Sequence, residues 1–173
     1  RYIYLDHAGV APVSKRVETA VRRYIEQSAG SGAFAYADWT EGVSRTRGLA
    51  ARLLNAEKSE IAFVRSTSHG LALVAEGLCW KQGDNILVYE HEFPSNLFPW
   101  IHLRRKGVET RLLREHSGRI EIDDIEATVD GRTKLISISS VQFTNGFRVD
   151  LERLGRFCSC LLYTSDAADE EDS

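Results

Sequence analysis

Residues 61–78 read IAFVRSTSHGLALVAEGL. A short apolar run ends at Arg65, hydroxyl residues follow, and Leu71, Val74, Ala75 and Leu78 then recur at helical spacing. A strand over 61–64 that feeds a helix starting near Thr67 leaves main-chain N–H groups unpaired at the positive end of the helix dipole. Such a junction suits an anion: Ser66, Thr67 and Ser68 offer amides and hydroxyls to a phosphate, and Gly70 lets the first turn pack closely. The same serines and threonine also serve as ordinary caps, and their chemistry alone leaves both roles open.

On either side of this junction the apolar pattern is regular. Val17, Ala20, Val21, Tyr24 and Ile25 form one stripe of a helix for which Ser14 is the expected cap, and a second helix is expected over 40–54. Downstream, apolar runs at 85–89, 108–113 and 134–139 read as strands. Helical patterns carried by Leu97, Trp100 and Ile101, and by Ile122, Ile125 and Val129, fall between them. Strand and helix in alternation imply an α/β fold, a mostly parallel sheet with helices on both faces.

With 173 residues, one α/β domain with a true apolar core is the expectation. No apolar run approaches the roughly 20 residues of a membrane span, and no signal-peptide pattern opens the chain, so a cytoplasmic protein is expected. Three cysteines, Cys79, Cys158 and Cys160, match neither a disulfide framework nor a zinc site and fit a reducing compartment. Cys79 reads as a small core residue. Lys and Arg are scattered among acids instead of forming a stripe, which argues against nucleic acid or an anionic membrane as partner. The chain begins at Arg1 and contains no Met, so its front end is expected to be trimmed. From Cys160 onward CLLYTSDAADEEDS shows no periodicity, and 160–170 resembles a sequencing-library adapter read as codons; 160–173 is expected to be a non-native tail, with an ordinary acidic, disordered terminus as the other reading.

The strand at 85–89 runs into HEFPSNLFPW, 91–100, at the carboxyl edge where open α/β sheets bind ligands. Phe93, held by Pro94 and Ser95, would sit beside the phosphate loop and could stack on a heteroaromatic ring; it could equally fill the core while Ser95 caps the next helix. His91 beside Glu92 lacks the HExxH spacing of a zinc site and reads as a solvated loop residue.

Four blocks, YLDHAGVAPVS, EIAFVRSTSHGLALVAEGL, GDNILVYEHEFPSNLFPW and KLISISSVQFTNGFRVDLERLG, resemble in order and spacing the class V aminotransferase and cysteine desulfurase family of fold-type I pyridoxal 5'-phosphate (PLP) enzymes. The resemblance runs from Tyr4 to Phe157. It implies a helical segment over 1–55 and an incomplete PLP-binding large domain over 56–159, with a small amino acid as substrate and a homodimer as the assembly. Carried over by position, Thr67 and Ser68 bind the cofactor phosphate and Phe93 stacks on the pyridine ring, where many desulfurases have His. Phe143 falls where many desulfurases have an Asn touching cofactor and substrate, a hydrogen bond Phe cannot make. His7 and Ala8, with Asp6, lie in the block that approaches the substrate.

PLP chemistry needs a Lys that holds the aldehyde and an acid that keeps the pyridine nitrogen protonated. In the family both lie beyond the matched blocks. None of Lys15, Lys58, Lys81, Lys106 and Lys134 has a setting that would lower its pKa, so this chain by itself is expected to be inactive. A noncatalytic α/β module with weak phosphate binding is the other reading. A hydrolase triad built on Asp6, His7 and a serine lacks any GxSxG elbow.

Overall fold

The computed structural model describes residues 3–5, 7 and 9–170, with side chains to 161. It divides into two compact units between Phe63 and Val64. Asp6 and Ala8 lie outside the described residues.

The first unit is helical. α1 (Lys15–Ser31) is capped by Ser14, whose side chain accepts from the Val17 amide, as the sequence suggests. A 3-10 turn (Gly32–Ala35) leads into α2 (Tyr36–Leu54), which starts four residues earlier than the sequence pattern indicates. Tyr24 packs against Trp39 at 5.0 Å, and the Trp39 indole donates to Gln27. α2 ends on Asn55 in the left-handed conformation, which Asn tolerates better than most residues.

The second unit is a three-layer α/β arrangement. β1 (Asn85–Tyr89) lies between β2 (Glu109–Leu113) and β3 (Thr133–Ser137), all parallel, in the order β2-β1-β3. All five residues of β1 are buried, because both neighbours and both faces are covered; this is why its sequence, NILVY, is a nearly continuous apolar run. Ile86 and Val88 point to one face, where they pack with Ala75 of α3 (Thr67–Gly77), Trp100 of α4 (Phe98–His102), Leu103 and Val108. Leu87 and Tyr89 point to the other, against Leu113, Ile122 and Ile125 of α5 (Ile122–Thr128) and Leu154 of α6 (Leu151–Glu170). The expected parallel sheet with helices on both faces is therefore present.

Turn chemistry sets the entry to β2. Gly107 sits at φ 77°, and a Cβ there would lie 2.9 Å from Gln82 Cγ, so both conformation and space require glycine.

Several sequence expectations are corrected. Residues 61–64 form no strand: Ile61 is extended, with φ −99° and ψ 116°, but has no ladder partner among the described residues, and Phe63 and Val64 are exposed. An apolar run becomes a strand only where a neighbouring strand takes up its amides and carbonyls. Cys79 is exposed and not a core residue, because α3 ends at Gly77 and the helical stripe no longer applies beyond it. Trp80 takes the inward place, its indole donating to Ala75 O at 2.7 Å. The backbone of α6 continues helical to Glu170, past the point where periodicity stops; Leu and Ala favour helix, and neither Gly nor Pro interrupts the chain after Gly155.

Candidate functional site

Ser66 resolves the two roles open to the hydroxyl cluster. It is the N-cap of α3, extended at φ −164° and ψ 165°, and its Oγ accepts from the His69 amide at 3.2 Å. Thr67 and Ser68 are thereby released from capping. Their amides are the first two of the helix and have no acceptor among the described residues, and their side chains are exposed. Two free amides and two free hydroxyls at the positive end of an 11-residue helix make a suitable seat for a dianion. Gly70 matters less than the sequence suggests, since a Cβ there would make only an ordinary 3.4 Å contact with Val64.

Parallel strands deliver the second component. The segments after β1 and β3 leave the same sheet edge side by side, Val88 being paired with Ser137. Phe93 follows β1 and is 51% exposed, so it is not a core filler. Its ring meets Phe143, which follows β3, at 5.2 Å and 87°. An edge-to-face contact occupies at most one face of Phe93 and leaves another for stacking. Ser68 and Phe93 line one cavity of about 600 Å³, together with Pro94, Ser95 and Phe98. Thr67 is not in that lining, and the cavity extends along α3 to Glu76 and along α4 to His102. Ser95 caps nothing: Phe93 is the N-cap of the 3-10 turn Pro94–Asn96, without a side-chain cap bond. No lysine lines the cavity.

His7 has local contacts, its amide donating to Leu5 O and its ring edge meeting Tyr4 at 5.3 Å. His91 is exposed, as read from sequence. Its neighbour Glu92, by contrast, is buried to 5% exposure, and sequence reasoning missed it. The Glu92 carboxylate accepts from the Ser139 amide at 2.5 Å, the Ser139 hydroxyl at 2.6 Å and Gln142 Nε2 at 3.3 Å. Asn96 was also unmarked in the sequence, yet its Oδ1 accepts from the Ser137 hydroxyl and the Trp100 indole. The available signal was a charged or amide side chain within a few residues of the end of a nearly all-apolar strand.

The profile of the family described as Aminotransferase class-V matches residues 3–169. The chain belongs to the class V aminotransferase family. This class V chain is 32% identical over 174 residues to a probable cysteine desulfurase of Methanothermobacter thermautotrophicus, covering 96% of this chain and 44% of that protein. It superimposes on the apo cysteine desulfurase of Thermococcus onnurineus NA1 with a TM-score of 0.76 and 26% identity, over 89% of this chain and 40% of that one. It shares a fold, at 20% identity and a TM-score of 0.69, with a C-DES mutant, K223A, that has glycine covalently linked to its PLP cofactor; the match covers 79% of this chain and 36% of that one. The chain spans 35–44% of the length of the first curated relatives it matches. Class V aminotransferases use pyridoxal phosphate.

Proposed function

We propose that this chain is the front part of a PLP-dependent enzyme acting on a small amino acid, with Thr67 and Ser68 holding the cofactor phosphate and Phe93 stacking on its ring. The supporting observation is that the uncapped amides at the start of α3 and the half-exposed ring of Phe93 meet at one cavity through Ser68. When bound, PLP supplies an electron sink for a carbanion of the amino acid. The chain's own residues bind and orient: the helix terminus fixes the phosphate, Phe93 limits tilt of the ring, and Phe143 replaces a polar contact with an apolar wall that excludes water.

In this reading 56–159 is the incomplete PLP-binding large domain, 1–55 the helical segment before it and 160–173 a non-native tail. His7 and Ala8 approach the substrate. The whole protein is a cytoplasmic homodimer with a small amino acid as its partner and no nucleic acid or membrane. Among the described residues, no helix is long and apolar enough to cross a membrane.

Residues 1–173 alone lack turnover, because the cavity has no lysine of its own. Mixed with PLP and treated with borohydride, they should give the spectrum of free PLP; a reducible protein-bound chromophore would sink the inactivity claim. For the full-length protein, titration with PLP tests the site. Ser68→Ala and Phe93→Ala should each weaken binding about tenfold or more, the scale of one charge-assisted hydrogen bond or one ring contact. Unchanged affinity in both variants would refute the assignment.

A further inference from the structure

Two neighbouring contacts join the loops after β1 and β3. Glu92 directly precedes Phe93, and Gln142 directly precedes Phe143. The first residues of these pairs are buried and hydrogen-bonded to each other, while the second are exposed and packed ring to ring. The orientation of Gln142 follows from its surroundings: Nε2 faces two acceptors, Glu92 Oε1 and Ser139 O, so the amide cannot turn without setting oxygen against oxygen. Its Oε1 is buried without a partner among the described residues, so in this arrangement the amide's hydrogen bonds are made through Nε2. No element of the proposed chemistry uses this carboxylate.

We propose that Glu92 is a positioning residue for the stacking wall: its buried carboxylate clamps Ser139 and Gln142 of one loop to the other loop and so fixes Phe93 against Phe143, with a face of Phe93 held ready for a planar ring. The inference rests on the stacking role given to Phe93 above. Glu92 acts through geometry rather than charge, and two conservative variants separate these. Glu92→Gln keeps the length: its Oε1 accepts from the Ser139 amide and Gln142, and its Nε2 donates to Ser139 Oγ once that hydroxyl rotates. Glu92→Asp keeps the charge but is one methylene short of the three donors.

The test uses the full-length protein with two readouts, hydrogen exchange at the Ser139 amide without cofactor, and PLP affinity with its induced circular dichroism. Glu92→Gln should match wild type in both. Glu92→Asp should exchange at Ser139 about tenfold faster, bind PLP about tenfold more weakly and lose induced dichroism, the scale of roughly one lost hydrogen bond. Phe93→Ala is the control for the underlying reading. If Phe93→Ala weakens binding while Glu92→Asp behaves as wild type, or if Glu92→Gln fails as Glu92→Asp does, the clamp is overturned and the stacking site stands. If Phe93→Ala binds as tightly as wild type, the stacking reading falls and this inference with it.

Discussion

Single residues at the carboxyl edge of the sheet carry very different burdens. Tyr89 is fully buried, and its hydroxyl donates to Glu115 at 2.8 Å. Burial first, and then the hydrogen bond to Glu115, push its pKa up to about 12. Because the folded value is raised, this contribution to stability is complete below the ordinary tyrosine range near pH 10 and is lost as pH rises through about 12. Spectrophotometric titration should show one late tyrosine, and Tyr89→Phe should remove that component and soften the alkaline fall in melting temperature. A Tyr89→Phe protein with an unchanged titration curve would count against the assignment. Glu92 illustrates the limit of reading residues singly. Beside His91 it looks like another loop acid, and only its three donors, 47 to 50 positions away, reveal its burial.

Among the elements, α3 depends on the residue just before it. Ser66 supplies the cap, and Ser66→Ala should cost about 1 kcal/mol of stability, seen as a lower denaturant midpoint with unchanged slope. The same change should weaken phosphate binding only indirectly, less than Ser68→Ala does. The strand pattern was legible at β1, β2 and β3 because each pairs with a parallel neighbour, although only β1 is buried along its whole length. It misled at 61–64, where the chain is equally apolar but no described strand pairs with it. Helix α3 was located correctly, yet its inward face was read one turn too far: Leu78 is exposed and lies beyond the last turn. Periodicity reports which face is apolar; it does not report where the hydrogen-bonded ladder stops.

At the scale of the whole second unit, one carboxylate joins all three strands. Asp130 accepts from Asn85 of β1 at 2.8 Å, from Arg111 of β2 at 2.6 Å and from the Arg132 amide just before β3 at 2.9 Å. The Arg111 guanidinium foremost, then the Arg132 amide and Asn85, hold its carboxyl well below the usual carboxylate range. A depressed folded value means that the contribution is present above the ordinary carboxylate range and is lost as pH falls through the folded one. Asp130→Asn should therefore flatten the acid limb of a melting-temperature profile; a parallel displacement of the whole curve would show that charge is not the cause. Ile125, fully buried on the opposite side of the sheet from α3, tests the core itself. Ile125→Ala should cost about 2–5 kcal/mol by denaturant titration, the range for emptying a packed aliphatic site.

The sequence by itself determined the α/β class, the three strands, the start of α3 and the family, because apolar period, cap residues and ordered motifs are properties of neighbours along the chain. Tertiary structure decided that Ser66 caps while Thr67 and Ser68 stay free, that Phe93 meets Phe143, and that Glu92 is buried between two loops. The last two depend on which strands lie side by side, whereas the Ser66 cap is a bond between residues three apart whose geometry the sequence left open. Parallel pairing sets segments some 50 residues apart next to one another, and no local pattern encodes that distance.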